Sequence, residues 1–197
     1  MSVNVFRHWY LTKIATWALI LKKREIAYEY YGKIVAEDPT DALTHSRVAF
    51  LHAEDGRPSD AIAGFEHVVA LKPNDADSHF NLGYLLQSAN EHSRAIAAFD
   101  RAISHNEKLD RAWFGKALSL VALGRTDDAI APLRKNIELQ PMSPFGHIEL
   151  ARCFYRLGDM DRCEKRMRKL KEFDPKNAAM LEDETGIKIG VDRWWKN

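Results

Sequence analysis

Residues 76–109 read ADSHFNLGYLLQSANEHSRAIAAFDRAISHNEKL, and this stretch decides the fold. Two apolar-periodic runs flank Asn90, with small residues at Gly83, Ala95 and Ala102 and one large residue at Phe99. The pattern recurs in both directions along the chain. Pro39, Pro73, Pro141 and Pro175 share one 34-residue period, with Glu107 in the vacant slot. Ala15, Ala49, Gly83, Ala117 and Ala151 form one small series, and Ala27, Ala61, Ala95, Ala129 and Cys163 another. Tyr31, Phe65, Phe99, Leu133 and Met167 are the large residues in phase with them. A further series, Ile34, Val68, Ala102 and Leu170, is broken by Asn136, which therefore requires a hydrogen-bond partner or contact with solvent.

The physics of the unit follows from these slots. Small residues at two fixed places let two antiparallel helices approach closely, and the large one fills the gap between them. Gly56, Asn90, Gly124 and Gly158 recur between the helices, and these residue types accept the left-handed conformation that ends a helix. Asp41, Asp75, Ser143 and Asn177 share a capping slot; Pro144 follows Ser143 at the first helical position. Leu109 breaks the capping series, and Asp110 beside it could cap instead. Pro132, inside the second helix of 110–143, predicts a kink.

These slots make the chain resemble the tetratricopeptide repeat family. Asn81-Leu82-Gly83, Ala95, Phe99 and Ala102 carry the resemblance in 76–109, and Trp113, Gly124, Ala129 and Pro141 in 110–143. The resemblance implies an all-α, right-handed superhelical solenoid of helix-turn-helix repeats at 8–41, 42–75, 76–109, 110–143 and 144–177. An extension at 1–7, a capping helix at 178–186 stopped by Gly186, and a tail at 187–197 complete the expected organisation. The unit at 8–41 is the least regular, with Lys22 in its glycine slot, as a terminal repeat with one unpartnered face permits.

Composition narrows the function. Hydrophobic residues make up 46% of 197 positions and the net charge is +1, which excludes disorder and a globally basic nucleic-acid binder. Two cysteines, Cys153 and Cys163, give no disulfide framework and suggest a reducing, cytoplasmic setting. The apolar run Trp9 to Leu21 is too short to span a bilayer, and basic residues follow it instead of a cleavage site. Residues 1–24 nevertheless hold five basic residues and no acidic one. A helix lying on an anionic membrane, at the inner face, is the alternative reading.

No phosphate-binding loop, dinucleotide fingerprint, zinc motif or nucleophilic triad is present, and the sequence predicts no enzyme, cofactor or metal. His45, His79 and His147 occupy one slot, where 110–143 has Trp113; equivalent slots lie about 8–10 Å apart, too far to share a zinc ion. They read as histidines packed between helices. Cys163 replaces a helix-packing alanine, so an inert buried thiol is its simplest role.

A surface remains to be explained. In the family the first helices of successive units line a concave groove. Carried over slot by slot, the resemblance places Phe50, Phe80, Tyr84, Phe114 and Leu118 there. Phe145, Ile148 and Tyr155 extend it, with Arg111 and Arg152 as polar partners. Such a groove suits a peptide or amphipathic helix of another protein. Only Asn81 and Arg111 match the carboxylate clamp of chaperone-binding relatives, which argues against that ligand. The tail with Trp194 and Trp195, or the apolar helix Trp9 to Leu21, could instead fill the groove from within. Nucleic acid is not an expected partner, and the oligomeric state is open.

Overall fold

The computed structural model describes residues 3–196, and the side chains of 5–195. Among them are eleven α-helices and one short 3₁₀ turn, and no strand. The helices pair in sequence. α1 (Val3–Ile20) packs on α2 (Arg24–Glu37), α3 (Ala42–Glu54) on α4 (Pro58–Leu71), and α5 (Ala76–Ser88) on α6 (His92–His105). α7 (Asp110–Ala122) then pairs with α8 (Ile130–Leu139), and α9 (Pro144–Arg156) with α10 (Met160–Lys171). α11 (Pro175–Thr185) closes the stack against α9 and α10. The chain is an all-α, right-handed superhelical solenoid of helical hairpins.

Each hairpin turns through one left-handed residue. Lys22, Gly56, Asn90, Gly124 and Gly158 all have φ between 58° and 75°. Lys22 thus adopts the glycine conformation without being glycine, a strain the Lys23 N–H eases by bonding the Ala18 carbonyl at 2.7 Å. The small slots are fully enclosed and the large ones, Tyr31, Phe65, Phe99, Leu133 and Met167, are buried between helices. The core is continuous in kind but divided into three clusters, the first confined to α1, α2 and adjoining residues of α3. Arg24 ties that first hairpin to the second, bonding Glu54 and Asp55 at 2.7 Å each.

Several local expectations need correction. Pro132 does not kink a helix. Residues 126–129 form turns, α8 begins at Ile130, and Pro132 sits in its first turn, where a missing N–H removes no helical bond. Asp41 and Asp75 cap as expected, but Ser143 makes no capping bond and neither Leu109 nor Asp110 supplies one. The closing helix begins at Pro175, not 178, because Asp174 is its cap and binds both the backbone and side-chain nitrogens of Asn177. α1 begins at Val3, so it runs through the stretch expected as a separate extension; residues 1 and 2 lie outside the described residues.

The shared aromatic slot has a task beyond packing. His45, His79 and His147 each place Nε2 at 2.9–3.1 Å from a carbonyl six residues back, those of Pro39, Pro73 and Pro141. Trp113 donates from Nε1 to Glu107 in the same way at 2.9 Å. A carbonyl only accepts, so each histidine carries its proton on Nε2. The ring therefore pins the turn between successive units.

His147 is the most enclosed of the set, and its Nδ1 accepts from Arg166 at 3.4 Å. Burial first, then the Arg166 charge, hold its pKa below the ordinary histidine value. Below about pH 6.5 the unfolded chain takes up that proton first, so stability falls on acidification until the depressed folded pKa is reached. His147→Gln keeps an N–H donor but does not titrate. It is expected to remove this part of the loss in melting temperature between about pH 7 and 5; an unchanged pH profile would refute the assignment.

Candidate functional site: an aromatic pocket on the first-helix face

α5, α7 and α9, the first helices of three successive hairpins, turn one face toward a pocket of about 300 Å³. Phe80, Tyr84, Phe114, Leu118 and Phe145 form its apolar wall, and Arg111 lies at its edge. The Phe80 and Phe99 rings are 6.0 Å apart, and those of Phe114 and Phe145 6.5 Å. Arg111 stacks on Phe80 at 4.6 Å and pairs with Asp77 at 3.6 Å. Tyr84 and Phe145 are the most exposed walls, at 58% and 64%.

The floor is Phe99, a fully buried ring that reaches the pocket because Gly115 covers it with no side chain. A Cβ built on Gly115 would stand 2.5 Å from the Phe99 ring, and one on Gly83 2.7 Å from its other side. Equivalent slots in neighbouring units hold Asn81 and Glu149. The missing side chain at Gly115 therefore lets the Phe99 ring come directly up to the α7 backbone beneath the pocket. Gln87 braces the rim, donating to the Gly115 carbonyl and to Ser119 Oγ, both at 2.9 Å. Asn136, also in the lining, finds its partner in the Asp110 carbonyl at 3.1 Å, and its Oδ1 lies where a Cβ on Gly146 would fall.

Of the ten residues expected in the groove, six meet in this pocket: Phe80, Tyr84, Arg111, Phe114, Leu118 and Phe145. Phe50 and Tyr155 are exposed but lie outside it; Phe50 packs edge-on against Phe65 at 4.9 Å. Ile148 is buried in the core that α9 shares with α8 and α10 and lines no groove, which corrects its assignment. Arg152 is already engaged, bonding Glu184 of α11 at 2.7 and 3.0 Å and pairing with Glu149. That pairing with Glu184 raises the Arg152 pKa and lowers that of Glu184. From sequence Phe99 has only a packing role, whereas the structure sets it, still fully buried, beneath the pocket floor. The signal available in the sequence was a glycine in a slot that elsewhere holds a long side chain.

The described residues of the tail do not fill the pocket. Ile189 is buried and Arg193 reaches back to Asp183 at 2.7 Å, so residues 187–193 pack on α10 and α11. Among the described residues, none after Phe145 lines the pocket. Both cysteines are buried; burial pushes the Cys153 thiol up to about 11 and raises Cys163 as well, the opposite of a reactive thiolate. Among the described residues no three of His, Cys, Asp or Glu gather as a metal site, and no helix is long and apolar enough to cross a membrane.

A stack of helical hairpins presenting an aromatic pocket on its first-helix face is the architecture of a protein-interaction scaffold. The chain belongs to the tetratricopeptide repeat family. The family model for anaphase-promoting complex, cyclosome, subunit 3 matches residues 54–136, and a tetratricopeptide repeat model matches 114–178. A crystal structure of MamA protein is similar over 93% of this chain and 97% of its own, with a TM-score of 0.79 at 21% identity. A second crystal structure of MamA gives 0.77 at 25% identity over 84% of this chain and 97% of its own. YrrB, described as a TPR protein with an unusual peptide-binding site, gives 0.66 at 18% identity over 79% of this chain and 84% of its own. No curated protein matches the chain in sequence.

Proposed function

We propose that the protein is a non-catalytic adaptor that captures an apolar side chain of another protein's peptide or helix in the pocket over Phe99. The observation behind this reading is the aromatic wall of Phe80, Tyr84, Phe114 and Phe145 on the first-helix face, above a floor where Phe99 packs directly against Gly115. About 300 Å³ accommodates a bulky anchor with its flanking backbone. Aromatic side chains that are rigid and already partly enclosed give up little conformational entropy when a guest arrives. Arg111 at the edge offers a donor to a backbone carbonyl or a carboxylate beside the anchor.

The test is peptide display against the immobilised chain, followed by Tyr84→Ser with Phe145→Ser. Selected peptides should share a large apolar residue, and the double variant should bind them at least about tenfold more weakly. Both positions are mostly exposed, so helical content and melting temperature should hold. Phe80→Ala and Phe114→Ala are poorer probes, because both rings are partly buried and pack on the core. Selected peptides that bind the double variant as well as the parent chain would reject the pocket.

A further inference from the structure

α1 is apolar on two opposite sides, and the solenoid uses only one of them. Leu11, Ala15 and Ala18 are buried toward α2. On the far side Phe6, Trp9, Tyr10, Trp17 and Ile20 are each more than half exposed. Their spacings of three, four, seven and eleven residues place them in one stripe, about 21 Å long at 1.5 Å per residue. The Phe6 and Trp9 rings lie 5.9 Å apart, and Lys13 Nζ sits 5.8 Å from the Trp9 ring centre, on the same stripe. A helix apolar all round is ordinarily buried all round. This one leaves a greasy, aromatic strip in water.

The charges say what covers it. Residues 1–24 contain no Asp or Glu. Arg7 is paired with Glu37, and Arg24 with Glu54 and Asp55. Lys13, Lys22 and Lys23 have no carboxylate partner among the described residues. Two indoles, a phenol and a lysine on one face are the composition of the water–bilayer boundary, where amphipathic rings sit at headgroup depth and lysine stems stretch toward phosphate. A second copy laid face to face would set Lys13 against Lys13, which disfavours that occupant. With its other face committed to α2, the helix can lie only along a surface.

We propose that α1 docks the protein on an anionic bilayer, burying the Phe6–Ile20 stripe at headgroup depth while Lys13, Lys22 and Lys23 meet acidic lipid. This is independent of the pocket over Phe99.

The full chain should float with vesicles of equal parts phosphatidylcholine and phosphatidylserine and remain behind with pure phosphatidylcholine. Trp9→Glu with Trp17→Glu is expected to weaken binding to the mixed vesicles by about tenfold or more. Lys13→Gln, Lys22→Asn and Lys23→Gln together are expected to lose about a hundredfold, since each surface lysine strengthens binding about fivefold. Asparagine is chosen at 22 because it tolerates the left-handed backbone there. All five side chains are exposed, so unchanged circular dichroism should accompany the loss. Tyr84→Ser with Phe145→Ser should float like the parent chain, which separates this surface from the pocket. Failure to float at low salt, or equal flotation on neutral vesicles, would overturn the proposal. So would a tryptophan variant that floats normally but has a lower mass by light scattering, which would assign the stripe to a second copy.

Discussion

Phe99→Ala is expected to destabilise the chain by about 3–5 kcal/mol, toward the upper end of what losing a buried phenyl ring costs. The ring is fully enclosed and lies between Gly83 and Gly115, neither of which has a side chain that could move into the space. How far a site collapses decides the cost of a cavity, and here both walls are backbone. Urea unfolding followed by circular dichroism reads the effect. Phe99→Leu, which installs the residue type found at Leu133 in the next unit, should cost less than half as much. Equal losses for the two variants would refute the packing account. The reverse change is also informative: Gly115→Ala pushes a methyl against the ring and should cost about 1–3 kcal/mol.

Glu182→Ala is expected to release residues 187–193 from the end of the solenoid, at a cost of about 3 kcal/mol. The Glu182 carboxylate is buried and accepts the Ile189 N–H at 2.6 Å, the Val191 N–H at 3.3 Å and Arg193 at 3.2 Å. Removing it strands two amides and leaves Arg193 held by Asp183 and the Ala179 carbonyl. Exchange of the Ile189 and Val191 amides should accelerate about a hundredfold while that of the α5–α8 amides is unchanged. Burial pushes the Glu182 carboxyl up, but the Ile189 amide and then Arg193 outweigh it, and its pKa ends below the ordinary value. The contribution is thus present above about pH 4.3 and is lost as pH falls through the depressed folded value. Tail amides in Glu182→Ala should accordingly exchange with no acid transition of their own. Unaltered protection in the variant would show that the carboxylate does not hold the tail.

The architecture was legible because repetition converts a fold into a period. Small and large residues at 34-residue spacing report contacts that each unit makes with itself and its neighbour, and those contacts recur with the same geometry. The left-handed turn residues were readable for the same reason, down to Asn90. Six of the ten residues expected in a groove line one pocket, since slots on α5, α7 and α9 face one way. Departures came where a residue's setting differs from that of its equivalents. Pro132 sits in the first turn of α8 instead of bending a helix, because residues 126–129 wind as turns before Ile130. Ile148 went to the core that α9 shares with α8 and α10, and Arg152 to Glu184 once α11 packed against α9.

Sequence alone therefore settles the hairpin, its period and its tight interfaces, all of which are local and repeated. Tertiary structure alone decides how unlike slots meet. It sets Gly115 over Phe99, Glu184 beside Arg152 and Glu182 beneath the tail, and it leaves the outer face of α1 exposed among the described residues. The reason is physical: a periodic pattern encodes what every unit shares, whereas a pocket, a cap and an exposed helix face arise where one unit lacks what the others have.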